Sequence, residues 1–218
     1  MMEAREIEER LELLEKLGGI IRRERRARGL IHAAWGAAIL VGLLIFQAVE
    51  LLSLPWYYGV ASLVALLIAA MVATVFLARK IRGQLGYVGG GWLGRKIGAA
   101  WAATALGGGL AYMIVFWSPS VSQAVFSQLP PQAVSGLILT GWLIIDGIGC
   151  MVQGVISESK AFRWIGLAML VSAILVAHVG FIFAYAAFAL TFGLGYLLVG
   201  LRDYSEFKRS SEAGVEIG

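Results

Sequence analysis

Residues 22–49 read RRERRARGLIHAAWGAAILVGLLIFQAV, five arginines within seven positions followed by twenty residues, Leu30 to Val49, that carry no charge. A helix rises about 1.5 Å per residue, so a stretch of that length crosses a hydrocarbon layer of about 30 Å. An abrupt change from a cationic cluster to an uncharged run marks a membrane span whose basic flank stays in the cytoplasm.

Five further stretches of the same kind follow: Tyr57 to Ala78, Ile97 to Trp117, Ala133 to Ile156, Trp164 to Ala177 and Phe181 to Leu201. Hydrophobic residues make up 59% of the 218-residue chain and charged residues 15%, which is more apolar surface than a water-soluble fold of this size can hide. The expected fold class is an all-α, polytopic integral membrane protein, with six transmembrane helices arranged as three helical hairpins behind a cytoplasmic amphipathic helix. Residues 1–28 form that helix and its basic juxtamembrane end, 29–202 the transmembrane domain, and 203–218 a cytoplasmic tail expected to be disordered. The least secure boundary is Ala177-His178-Val179-Gly180, where two crossings must be joined by a very tight turn.

Charge supports an even number of crossings. The 18 basic residues fall in the N-terminal segment, in the connections after the second and fourth spans (Arg79, Lys80, Arg82, Arg95 and Lys96; Lys160 and Arg163) and beyond the sixth (Arg202, Lys208 and Arg209). The opposite loops, 50–56, 118–132 and 178–180, carry none. The positive-inside rule then places both termini in the cytoplasm of a prokaryotic cell, with the protein in its cytoplasmic membrane. The first span reads as a signal anchor, because the acidic, arginine-containing helical segment before it lacks the core and cut site of a cleavable signal. One cysteine, Cys150, permits no intramolecular disulfide. The absence of Asn excludes N-glycosylation; it also fits a thermophilic source, or simply a codon bias toward G and C.

In the N-terminal segment Ile7, Leu11, Leu14 and Ile21 recur at helical steps, and Glu6/Arg10 and Glu12/Lys16 are i,i+4 pairs. Gly18-Gly19 is expected to hinge the helix. Arg22, Arg23, Arg25, Arg26 and Arg28 are expected to bind anionic lipid headgroups; nucleic acid is not expected, since the acidic first half would repel a phosphate backbone. The Gly-rich connector from Gly83 to Gly94 lacks the GxxxxGK[ST] pattern of a phosphate loop and reads as a link with Tyr87 and Trp92 as interfacial anchors. Arg28, Arg95 and Arg163 open the first, third and fifth spans about 67 residues apart, which fits either parallel repeats or the ordinary appearance of a cytoplasmic flank.

Small residues let helices approach closely in lipid. Gly107, Gly108 and Gly109, Gly147 and Gly154 (with Gly136 and Thr140), and Gly193 and Gly200 (with Ala186 and Ala189) are the expected packing positions, in a homo-oligomer or a subunit of a membrane complex.

Of the 32 charged residues (18 basic plus 14 acidic), only Glu50 and Asp146 lie away from the basic side. Glu50 ends a span and reaches outer water. Asp146 lies roughly 15 Å deep, counted at 1.5 Å per residue from the end of the fourth span. Inserting an aspartate there costs about 2.5–3.5 kcal/mol. Trp142, Cys150, Gln153 and Ser157 share its face, so a polar stripe runs from the bilayer centre to the cytoplasm.

Two explanations remain open. Asp146, with Gln153 and Cys150, is a proton or cation site with His32 as a titrating neighbour, or it is a hydrogen-bonded Asp that glues helices together. His32, one turn from Arg28, reads otherwise as an interfacial histidine. The two histidines lie near opposite faces and cannot form a metal cluster with Cys150, Ser172 and His178 make a poor nucleophile pair, and Asp146 has no second acid. No catalytic residue, metal or cofactor is therefore expected. The function expected is a transporter or channel-like protein for a proton, cation or small solute; the alternative is a non-transporting subunit or scaffold that holds a partner through its N-terminal helix and cytoplasmic connector.

Overall fold

A computed structural model describes residues 2–85 and 92–212; Tyr87 and the last six residues lie outside the described range. Among the described residues every regular element is helical. Helix α1 runs Met2–Ala27, α2 Gly29–Leu51, α3 Trp56–Leu85, and α4 over 92–117 with a π-helical stretch at Ala103–Gly108. A short helix α5, Pro119–Phe126, lies in the loop before α6, Pro131–Ile156. Helix α7 is Lys160–Val179, and α8 covers 181–212 with a 3-10 turn at Phe181–Phe183 and a π-helical stretch at Ala189–Gly193.

Six of these helices are long and apolar enough to cross a membrane: Gly29–Leu51, Trp56–Ile81, Arg95–Ile114, Ala133–Ile156, Lys160–Val179 and Phe181–Ser210. The protein is thus an all-α, multi-pass membrane protein. Consecutive spans pack as hairpins, and the hairpins are joined by the α2–α8 and α6–α7 faces. The core lies among α2, α6, α7 and α8, where Leu143, Cys150, Phe162, Met169, Phe188, Phe192 and Tyr196 are buried. Helices α3 and α4 are peripheral: α3 packs on α2, α4 on α6, and their outer residues, such as Ile68, Phe76, Leu106 and Ile114, are exposed. In lipid that exposure carries no penalty.

Close approach between α2 and α8 depends on glycine. A Cβ on Gly193 would lie 2.7 Å from backbone atoms of Leu40, and one on Gly200 would lie 2.9 Å from the Ala33 Cα. Gly29 and Gly36, on α2, face the same seam. Between α6 and α7, Gly147 meets Gly166, and Gly154 meets Arg163. Gly108 and Gly109 face Ile145 and Trp142. Gly107 corrects the expectation for the glycine run, because a Cβ there would meet nothing within 4 Å among the described residues.

The doubtful α7–α8 junction is one residue. Gly180 has φ +142 and ψ 133, a conformation that L side chains rarely adopt, and it reverses the chain between Val179 and Phe181. The Gly18-Gly19 hinge does not form, because α1 continues through both glycines. Flanking helix formers and the Lys16–Glu12 ion pair (2.9 Å) offset the low helix propensity of glycine, and the break falls at Arg28. The tail is also more ordered than expected: α8 continues to Glu212. Beyond the span Asp203 and Glu206 meet arginines of α1, with Arg25 Nε 3.4 Å from Asp203 and Arg26 Nε 3.1 Å from Glu206.

Gly193→Ala and Gly200→Ala are each expected to destabilise the protein in detergent by about 1–3 kcal/mol, the usual range for overpacking. Gly180→Ala should cost a similar amount, about 1–3 kcal/mol, through backbone strain. Gly98→Ala, in open space, should be neutral or gain up to about 1 kcal/mol. Thermal unfolding of the four variants in one detergent checks the ranking.

Candidate functional site

The polar groups of the bundle converge on Gln153, which is 1% exposed and lies two turns of α6 from Asp146 toward the basic end. Its Oε1 accepts a hydrogen bond from Trp101 Nε1 of α4 (2.8 Å) and another from Tyr196 Oη of α8. Its Nε2 lies 3.3 Å from His32 Nε2 of α2. One carboxamide on α6 therefore contacts three other spans.

The proton positions follow from what each group can do. An indole N–H only donates, so the atom facing it must be the carboxamide oxygen. The other end of the amide is then an NH₂ group, which donates to His32 Nε2. With that nitrogen an acceptor, His32 is neutral and carries its proton on Nδ1. Among the described residues His32 Nδ1 is buried and has no partner.

An aromatic wall encloses this junction. The His32 ring meets Phe162 edge-on at 5.0 Å and Tyr196 at 5.7 Å, and Phe192 stacks on Tyr196 at 4.2 Å while Trp101 packs against it edge-on at 6.0 Å. The two π-helical stretches, just after Trp101 and just before Tyr196, shift the angular register of α4 and α8, bringing their aromatic residues to the glutamine. Cys150 Sγ lies 4.0 Å from Tyr196 Oη and 3.9 Å from Met169 Sδ. Ser157 Oγ donates back to the Gln153 carbonyl at 2.7 Å.

At the basic end Arg25, 12% exposed at its side chain, covers the junction. Its Nη1 donates to the carbonyls of Ser157 (3.3 Å) and Glu158 (3.4 Å), the end of α6, where a cation is favoured by the helix dipole. Arg28 pairs with Glu24 at 2.8 Å and Arg26 with Glu206, while Arg22 approaches Glu158 at 4.0 Å on the exposed surface. Four of the five clustered arginines thus face carboxylates of the protein; Arg23 is exposed.

Asp146 stands apart. Trp142, Ile145 and Gly149 beside it pack on α4, and Leu143 and Cys150 on its other flank are in the core. Helical spacing therefore aims Asp146 into the seam between α4 and the core, on the Gln153 face. It is partly exposed, and among the described residues it has neither a hydrogen-bond partner nor a counter-ion. A helix-gluing aspartate would have a partner here.

Of the candidate residues, then, His32, Cys150 and Gln153 come together, and Asp146 lies about 10 Å farther along α6 at 1.5 Å per residue. His32 is not interfacial: at 8% exposure it is enclosed by Gln153 of α6, Phe162 of α7 and Tyr196 of α8. At the opposite end Gln47 Oε1 accepts from the Ala186 amide at 3.1 Å, and Ser135 Oγ donates to Glu50 at 3.5 Å. His178 is exposed and bonded to the Ile174 carbonyl at 2.7 Å. Among the described residues no group of three His, Cys, Asp or Glu side chains could hold a metal. Sequence reasoning missed Trp101 and Tyr196. A single indole in the small-residue run 99–103 was the one available signal for Trp101.

Fold and site together define a multi-pass membrane protein with a polar junction buried near its basic end. No family model, no curated protein and no solved structure matches the chain.

Gln153→Leu would leave the Trp101 N–H and the Tyr196 O–H without an acceptor. It should destabilise the protein by about 1–3 kcal/mol. Asp146→Asn removes no contact and is expected to stay within about 0.5 kcal/mol of the parent. Unfolding of both variants in the same micelles checks the contrast.

Proposed function

We propose that this protein is a small transporter or channel-like protein that moves a proton, cation or small solute past Asp146. One observation carries the reading: an aspartate within a membrane span, partly exposed at the seam between α4 and the core and without hydrogen-bond partner or counter-ion among the described residues. An intramembrane carboxyl without a structural partner is by default a functional group, because the free energy of placing it there is not recovered through packing. Gln153, Cys150 and His32 lie between it and the basic end, buried within the bundle. Positive-inside charge makes that end cytoplasmic, in the cytoplasmic membrane of a prokaryote, with exposed Arg23 directed to anionic headgroups.

A second reading has its own support. The first part of α1 exposes Ile7, Leu11, Leu14 and Leu17, a surface through which a non-transporting subunit would hold a partner. The two differ at Asp146.

In sealed vesicles reporting internal pH with a trapped dye, an imposed potassium diffusion potential should drive proton flux through the parent protein. Asp146→Asn should lower that flux by about tenfold or more, the factor that corresponds to about 1.4 kcal/mol, while the protein stays folded. Equal flux through parent and variant, for protons and for monovalent cations, would favour the scaffold.

A further inference from the structure

We infer that residues 6–17, in the first half of α1, lie flat on the leaflet at the bundle's basic end with their apolar side in lipid, held there by apolar burial and not by charge. The inference concerns a surface remote from Asp146 and is independent of the transport reading.

Helix α1 runs across the basic end of the bundle. It touches α2, α4 and α8, and Arg25 donates to the carbonyls of Ser157 and Glu158, where α6 ends. A helix continuing straight out from α2 would not reach α4 and the end of α6 together. The bend is at Arg28, whose carbonyl accepts from the amides of Ile31 and His32, so α2 starts afresh there. Glu24, 3% exposed, and Arg25 mark the side that α1 turns to the bundle. Toward the N-terminus that cover ends, and residues 6–17 are exposed without exception.

The exposed part continues the bundle-facing side as apolar surface. At about 100° per residue, Ile7, Leu11, Leu13, Leu14, Leu17 and Ile20 share one half of the helix with Glu24 and Arg25. Glu8, Glu9, Glu12, Glu15 and Lys16 share the other half. Each of the six apolar side chains is 50–63% exposed. The charges that fall within the apolar half near its start, Glu6 and Arg10, pair with each other at 2.6 Å. Beyond the rim of the bundle, the plane occupied by the ends of the spans is filled by lipid. The side of α1 that meets protein at Glu24 and Arg25 therefore meets the leaflet at Leu14 and Leu17.

Two other arrangements fit less of this surface. A coiled coil with a second copy buries a narrow seam, Ile7, Leu11 and Leu14, and leaves Leu13, Leu17 and Ile20 in water. Attraction to anionic headgroups fails for this segment, because residues 3–17 carry six glutamates against Arg5, Arg10 and Lys16, a net charge of −3. A helix lying in the interface with its glutamates turned outward buries the whole apolar half and keeps the charge in water.

The test uses the full-length protein with a single added cysteine, Glu12→Cys, Leu14→Cys, Lys16→Cys or Leu17→Cys, carrying a fluorophore in phosphatidylcholine nanodiscs large enough for two copies. All four positions are exposed, and Cys150 is buried, so the unsubstituted chain serves as the labelling control. Nitroxide-bearing lipid should quench the labels at Leu14 and Leu17 about threefold or more strongly than those at Glu12 and Lys16, and iodide in the water should reverse the order. Adding the anionic lipid phosphatidylglycerol should not increase the quenching by lipid. Labels at Leu14 and Leu17 as open to iodide as those at Glu12 and Lys16 overturn the inference. Quenching by lipid that appears only with phosphatidylglycerol overturns it as well. So does a Leu14 label shielded from both quenchers in a variant that forms disulfides between copies, which gives the surface to a second copy.

Discussion

A carboxamide buried in lipid must find its hydrogen bonds within the protein, since no water is present to supply them. Gln153 meets that requirement by drawing one side chain from each of three other spans: Trp101, His32 and Tyr196. Much else at the basic end is arranged around it. The aromatic wall shields it, the π-helical stretches of α4 and α8 set the register of its partners, and Arg25 closes the end of α6 above it. Apolar packing in a bilayer does little to choose between neighbours, because lipid tails are as apolar as leucine. A polar group that must be satisfied does choose.

Two other constraints fix the frame in which that choice operates. Glycines on facing helices allow α2 to meet α8, and α6 to meet α7, at backbone contact, so the four core helices are held by shape. Ion pairs between α1 and the end of α8 bring the N-terminal helix down over His32. Helix α4 shares neither device fully. It rests on α6 through Gly108 and Gly109, the Trp101 contacts and the Tyr112 hydroxyl, which donates to the Leu137 carbonyl at 3.0 Å.

The spans were legible in the sequence because twenty uncharged residues next to an arginine cluster have few other uses. The stripe of Asp146, Cys150, Gln153 and Ser157 was legible too, since α6 is regular and i,i+3/i+4 spacing holds along it. What joins the stripe was not. Tyr196 follows a π-helical stretch that no residue pattern announces, and indoles and phenols are common enough in spans to carry no signal of their own. His32 was placed at the right depth but in the wrong surroundings, because the groups that enclose it, Gln153, Phe162 and Tyr196, come from helices far along the chain. The tail was expected to be disordered because its ion pairs, Asp203 with Arg25 and Glu206 with Arg26, join residues far apart in the chain. Gly107 shows the limit of counting small residues: three successive glycines cannot all face one neighbour on a helix.

Gln153 and Asp146 thus differ along one stripe, with Gln153 holding helices together and Asp146 at the seam without a partner among the described residues. This difference depends on the strength of the link between Gln153 and α4. A double-mutant cycle with Trp101→Phe and Gln153→Leu, read as unfolding free energy in detergent, measures it most directly. The account predicts a coupling of about 0.6–1.7 kcal/mol, the range of hydrogen bonds between membrane helices. Effects that add to within about 0.3 kcal/mol would contradict it.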